Sequence, residues 1–159
     1  MSRLKTLILI RHAHRDTVDH SRDNGLSEKG KEQVKRMLRF AEERLADLDP
    51  LFFSSAKKRC METLAPLAQK YDKPVIPDAR LTEQGAAESL AQYQSRIEDF
   101  LRYWQKECPP VTVVCSHGDW IPLSVYKLTQ AKIGLKKAGW CEIELLGDEA
   151  YLTWLVQRH

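Results

Sequence analysis

Two stretches of the chain are apolar at nearly every position, and between them apolar residues recur at helical intervals. Leu4 to Ile10 carries the run Leu7-Ile8-Leu9-Ile10, and Pro110 to Ser116 carries Val111, Thr112, Val113, Val114 and Cys115. Continuous runs rich in β-branched residues suit strands covered on both faces, as in a parallel sheet. Leu51 to Ser54 predicts a third, shorter strand. Val34, Met37, Leu38, Ala41 and Leu45 fall on one helical face after Ser27, which predicts an amphipathic helix of about five turns. Ile97, Phe100, Leu101 and Trp104 repeat the pattern, giving a helix from near Glu88 to Glu107 that Pro109-Pro110 closes. Leu64, Ala68 and Tyr71 predict a further helix, which Pro66 is expected to kink or divide. A short helix after Ile121 precedes two alternating stretches, Trp140 to Leu146 and Tyr151 to Val156, paired around Gly147-Asp148-Glu149. With one more short strand before the Glu88 helix, the order β, α, β, α, β, α, β, α, β, β predicts an α/β chain: a three-layer α/β/α sandwich with a mostly parallel sheet.

Composition narrows the class. The chain has 159 residues, 43% hydrophobic and 30% charged, with 7 Gly and 7 Pro, which suits one domain over residues 1–159 and excludes a disordered or fibrous chain. Its longest apolar run falls far short of the roughly 20 residues that cross a bilayer, and no signal-peptide core follows the start, so a cytoplasmic location without a membrane partner is expected. Lys and Arg number 25 against 22 Asp and Glu, a net charge of +3. That excess is too mild for a nucleic-acid or membrane surface, and Lys132, Lys136 and Lys137 are too few for a basic stripe, so no nucleic-acid partner is expected. The four cysteines (Cys60, Cys108, Cys115, Cys141) form no C-x-x-C pair and read as reduced, mostly buried thiols, with Cys115 inert inside its apolar run.

The chemistry lies at the ends of the strands. Leu7 to Ile10 runs into Arg11-His12-Ala13-His14-Arg15, Val113 to Cys115 runs into Ser116-His117-Gly118-Asp119, and Leu51-Phe52-Phe53 runs into Ser54-Ser55 and then Lys57-Lys58-Arg59. Ligands of open α/β sheets bind beyond the carboxyl ends of the strands, so these segments can face one crevice with imidazoles and cations suited to a phosphate. His12 and His14 with His20, Asp16, Asp19 and Asp23 offer metal-ligand types, but Arg11 and Arg15 bracket the histidine pair and repel a cation, so no metal is expected. Trp120 can face the substrate or pack, and its position in the sequence does not decide.

These segments come in the order of the histidine phosphatase superfamily, which the chain resembles from about Leu4 to Leu146. The resemblance rests on Arg11-His12-Ala13, the Leu26-Ser27-Glu28-Lys29-Gly30 entry to the first helix, Ser54 to Arg59 continuing as Cys60-Met61-Glu62-Thr63, Leu81-Thr82-Glu83 with Gly85, Glu88-Ser89 through Arg96 and Phe100, and Ser116-His117-Gly118. It implies a phosphoglycerate mutase-like fold and a metal-independent, cofactor-free phosphatase that hydrolyses a phosphomonoester or phosphoramidate through a phosphohistidine. His12 would be the nucleophile, one ring nitrogen attacking while the other donates to a carbonyl that fixes the tautomer. Arg11 and Arg59 would grip the transferring phosphoryl group, with His117 as a third cation in the catalytic set. Glu83 would be the general acid and base, its pKa raised by burial beside phosphate. Asp119 is the alternative acid, because the acid phosphatase branch takes its acid directly after the second histidine, whereas here Gly118 intervenes. Ala13 stands where most members have glycine, and Arg15 resembles that branch's further phosphate-binding arginine.

Three rival activities accompany this reading. The chain is similar in size to bacterial phosphohistidine phosphatases, so the phosphorylated substrate can be a small molecule or a protein, and the pocket is expected to be shallow and open. A phosphoglycerate mutase-like phosphotransfer would require insertions for which the chain has little room. A weakly catalytic phosphoprotein- or phospholigand-binding module would need neither His12 nor Glu83. Nothing in the sequence demands a particular oligomeric state.

Overall fold

The computed structural model describes residues 3–159. Its six strands form one sheet, and their order in it departs from chain order. The strands are β1 (Lys5–Arg11), β2 (Leu51–Ser54), β3 (Val75–Pro77), β4 (Val111–Ser116), β5 (Trp140–Leu146) and β6 (Glu149–Val156). They lie in the order β3-β2-β4-β1-β5-β6, parallel from β3 through β1 and antiparallel at β5 and β6. The two apolar runs are the adjacent central strands β1 and β4, which explains why neither alternates: both their faces are covered.

The helices are α1 (Glu28–Arg44), α2 (Lys58–Lys70), α3 (Leu90–Glu107) and α4 (Trp120–Thr129). Val34, Met37, Ala41 and Leu45 of the α1 region and Cys60, Leu64 and Leu67 of α2 pack with Ile8, Ile10 and Val113 on one face of the sheet. Tyr93, Ile97, Phe100 and Trp104 of α3 and Ile121 and Val125 of α4 pack with Leu7, Leu9 and Val114 on the other. The three layers are those the periodicity predicts. Ser27 caps α1 by accepting the Gly30 N–H at 3.1 Å, and Ser89 and Gln92 form a reciprocal capping box at the start of α3. Pro66 does not divide α2, which continues to Lys70, because Thr63 and Leu64 before it and Leu67 and Ala68 after it are all buried and hold both halves to one surface. A single 3₁₀ turn, Ala79–Leu81, links β3 to the segment carrying Glu83.

The register places the site. Ile10 and Ser54 both pair with Cys115, and Arg11 with Ser116, so β1, β2 and β4 end nearly level. Beyond them, His12 N–H donates to the Ser116 carbonyl at 3.0 Å and Ser55 N–H to the Cys115 carbonyl at 3.0 Å. The chain leaves β1 toward the α1 face and β4 toward the α4 face. Two neighbouring parallel strands that exit to opposite faces leave a crevice between them, and His12 and His117 are the first residues in it.

Candidate active site

His12 is buried, and its Nδ1 lies 2.8 Å from the Ala13 carbonyl. Donation from Nδ1 to that carbonyl leaves Nε2 unprotonated, the tautomer a nucleophilic imidazole requires. Burial pushes its pKa down to about 3, with the neighbouring His117, Arg59 and Arg11 adding to the effect and the Ala13 carbonyl opposing it. The ring is therefore neutral at physiological pH. His117, also buried, stands edge-on to it with ring centroids 5.3 Å apart.

The other predicted residues surround this pair. Arg59, in the first turn of α2 and 5% exposed, donates from Nη2 to both Glu83 carboxylate oxygens at 2.7 and 2.8 Å, and the same nitrogen is 3.4 Å from His117 Nδ1. Glu83 Oε2 lies 3.5 Å from His117 Nδ1. Arg11 donates from Nη1 to the Leu135 carbonyl at 2.8 Å. The Nε groups of both arginines are buried and have no hydrogen-bond partner in the protein. A buried Arg59 and a half-buried Arg11, each with a buried Nε that no group of the protein answers, stand beside a neutral imidazole and make a site suited to an anion.

Glu83 departs from expectation in one respect. Burial alone would raise its pKa, but the Arg59 hydrogen bonds and the charges of His117, Arg59 and Lys57 outweigh it, and the net shift is downward. Its side chain is also 39% exposed, which weakens the burial contribution. Asp119 is close by but otherwise engaged: its Oδ2 accepts the Gln84 N–H at 2.9 Å, which fixes the turn that carries Glu83. Arg15 is not brought to this group. Its guanidinium meets His20 Nδ1 at 2.9 Å in the exposed loop before α1. His14 faces Ser27, with its Nδ1 2.7 Å from the hydroxyl, in the entry to α1 rather than at the reacting centre. Trp120 is fully buried and donates to the Arg80 carbonyl at 2.8 Å, so it packs.

Several supporting residues escaped sequence reasoning. Thr63 accepts the Ala13 N–H at 2.9 Å and donates to the Arg59 carbonyl at 2.7 Å, tying the loop of His12 to the helix of Arg59. Ser55 Oγ is 2.9 Å from His117 Nε2. Arg96 donates to the Thr82 and Glu83 carbonyls at 2.7 and 2.8 Å and pairs with Glu88, bracing the loop of the carboxylate from below. Gly118 lies directly against Arg11, since a Cβ there would sit 2.6 Å from Arg11 Cζ. The four cysteines are free and buried, and burial pushes the Cys115 thiol up, as expected for an inert residue. Among the described residues no cluster of three or more His, Cys, Asp or Glu is arranged to hold a metal, and no helix is long and apolar enough to cross a membrane.

The sequence profile described as the histidine phosphatase superfamily (branch 1) matches residues 7–87, just over half of the chain. No curated protein matches the sequence. Solved structures with the same fold include a protein titled mycobacterial hydrolase 1 (18% identity, TM-score 0.79, covering 99% of this chain and 100% of that one). A mycobacterial glucosyl-3-phosphoglycerate phosphatase is similar at 19% identity and TM-score 0.72, with 99% and 100% covered. A phosphoserine phosphatase variant from Entamoeba histolytica, in complex with phosphoserine, is similar at 18% identity and TM-score 0.74, with 96% of each chain covered.

Proposed function

Because the chain belongs to the histidine phosphatase superfamily, we propose that it is a metal-independent phosphatase acting on a phosphomonoester or phosphoramidate through phosphorylated His12. The observation that carries this reading is the neutral, tautomer-fixed His12 set beside Arg11 and Arg59, whose buried Nε groups have no partner in the protein. The phosphatases among the solved structures of this fold, named for phosphorylated small molecules, support a substrate of that kind.

His12 Nε2 attacks phosphorus in line with the departing group. The N–P bond forms as the P–O or P–N bond to the leaving group breaks, and the electron pair departs with that group. Arg11 and Arg59 spread their positive charge around the phosphoryl oxygens, with the His117 ring beside them, where negative charge shifts as the transfer proceeds. Glu83 in its protonated form gives the leaving atom its proton. As a carboxylate it then takes one from water, whose oxygen attacks phosphorus, breaks the N–P bond and returns His12 neutral with inorganic phosphate released. The incoming phosphate competes for Arg59 and adds negative charge beside Glu83, and both effects raise the Glu83 pKa from its depressed value toward the acid role.

The test is phosphate release from p-nitrophenyl phosphate in excess EDTA, with His12→Ala in parallel. Turnover that survives chelation and vanishes in the variant supports the proposal. Turnover undiminished in His12→Ala, or none in the wild type on p-nitrophenyl phosphate and on a phosphoramidate alike, overturns it.

A further inference from the structure

A second cavity of about 590 Å³ adjoins the site, and its walls are basic. Arg11 is common to both. The remaining cations are Lys29 and Arg36 from α1, Lys136 and Lys137 from the loop before β5, and Arg158 after β6, and no Asp or Glu side chain lines it. Elsewhere on the surface, cations such as Lys35, Lys70, Arg102 and Lys127 each meet a carboxylate. Among the described residues, no salt bridge reaches Lys29, Arg36, Lys136, Lys137 or Arg158. A protein with a formal charge of only +3 has therefore gathered five unpaired cations around one hollow. Like charges brought together repel one another at a cost in folding free energy, and a bound anion removes that cost.

The hollow is built, not incidental. Ala138, which holds a positive φ of 60°, donates its N–H to the Arg11 carbonyl at 3.0 Å, fixing the lysine loop to the end of β1. Gln157 accepts the Lys136 N–H at 2.7 Å and donates to the Gly134 carbonyl at 2.7 Å, while His159 Nε2 lies 2.8 Å from the Ala138 carbonyl. Lys137 is half-buried, and its pKa is lowered by burial and then by the charges of Arg11, Arg15, Lys29 and Arg59. The volume falls within the range of about 300–1,000 Å³ usual for small-molecule sites.

We propose that this cavity is a second anion subsite, so that the substrate is a small molecule carrying a further phosphate group besides the one transferred to His12. The inference rests on the proposed phosphatase reading and deepens it. Arg11 bridges the two anions, Lys29 and Lys137 hold the second, and a simple monoester leaves the cavity unfilled. The linker between the two groups passes along the Arg11 side chain.

The probes are p-nitrophenyl phosphate, with one phosphate, and a series of straight-chain alkanediol bisphosphates of increasing length. The double variant Lys29→Gln/Lys137→Gln removes two ammonium groups that make no side-chain hydrogen bond among the described residues, so its fold is retained. The wild type is expected to prefer one bisphosphate length, and the variant to lose about tenfold or more in kcat/KM on it while p-nitrophenyl phosphate stays within about twofold. Equal losses on both substrates, or no loss on either, overturn the proposal. Calorimetric binding of inorganic tripolyphosphate to wild type and variant separates this failure from that of the parent reading. If neither substrate is turned over yet tripolyphosphate binds about tenfold more weakly to the variant, the subsite stands and the phosphatase reading falls. Unchanged tripolyphosphate binding rejects the subsite whatever the turnover.

Discussion

Gly118→Ala tests whether the position of the Arg11 guanidinium, and not only its charge, sets the rate. A Cβ at this position would lie 2.6 Å from Arg11 Cζ, 2.8 Å from Nε and 2.9 Å from Nη2. Carbon atoms in contact sit at about 3.5 Å, so the guanidinium must retreat by roughly 1 Å. That movement stretches the 2.8 Å bond from Nη1 to the Leu135 carbonyl beyond hydrogen-bonding range. The backbone at Gly118 does not hold a positive φ, so alanine brings no backbone strain, and it stabilises by about 0.4–1 kcal/mol through the unfolded chain. The clash is with the free end of a long side chain, so overall stability should change by no more than about 1 kcal/mol. A misplacement of this size at a transition-state contact costs about 10²-fold in rate. The assay is kcat/KM on p-nitrophenyl phosphate beside a thermal melt, with Arg11→Met and the double variant completing a cycle. If the glycine acts through Arg11, the double variant is no slower than Arg11→Met alone. A Gly118→Ala enzyme that folds normally and keeps activity within about threefold of wild type would refute the argument.

Other consequences follow from single contacts. Thr63→Val leaves the buried Ala13 N–H without its acceptor and should lower stability by about 1–3 kcal/mol in denaturant melts, with a further loss of turnover as the His12 loop relaxes. His12 binds a proton more readily unfolded than folded, so its contribution to stability is fully present above pH 6.5 and is lost as pH falls toward about 3, by at most about 1.4 kcal/mol per unit. His12→Asn should therefore show a flatter stability profile than wild type between pH 6 and 4; parallel profiles would contradict the burial argument. Arg44→Met strips both hydrogen bonds and the ion pair from Glu142, whose side chain is 3% exposed, and should destabilise by about 3 kcal/mol in a urea titration, whereas the double change with Glu142→Leu should recover most of that loss.

How legible each part was in the sequence follows from how local its cause is. The runs of β1 and β4 announce buried parallel strands because coverage on both faces removes alternation, and α1 and α3 announce themselves by period and by a serine cap. Strand β3 spans three residues, none of them buried, so it leaves no pattern to place it, and Pro66 does not divide α2 because the local rule for proline lost to burial on either side of it. Arg11, His12 and His117 could be read because Arg11 ends a strand and each histidine directly follows one, and the fold must place those strand ends at the crevice. Glu83 could be found only through the family resemblance, since it lies on an irregular segment that Arg96, Asp119 and Arg59 hold from three other parts of the chain. Thr63 and Ser55 lie in a stretch that carries the resemblance, but nothing local gave them a role, because hydroxyl residues are common and their partners lie 50 and 62 positions away. Arg15 was assigned by pattern to the phosphate, whereas its guanidinium meets His20 in the exposed loop before α1.

The pairing of Glu83 with Arg59 changes what its depressed pKa means for the proposed reaction. A carboxylate that must donate a proton is poorly served by two hydrogen bonds from a guanidinium, yet Arg59 also keeps a buried Nε with no partner. The two facts fit if Arg59 satisfies Glu83 only until phosphate arrives. Rotation of the guanidinium toward the phosphoryl oxygens then gives Nε its acceptor and leaves the carboxylate beside a dianion, where protonation is favoured. In the proposed reaction, once the leaving group has departed, His12 would carry the phosphoryl group in the same place, and a water entering beside Glu83 would meet a carboxylate free to take its proton. One arginine would thus couple occupancy of the site to the protonation of its acid, which is why an acid half-open to solvent can serve where a buried one was expected.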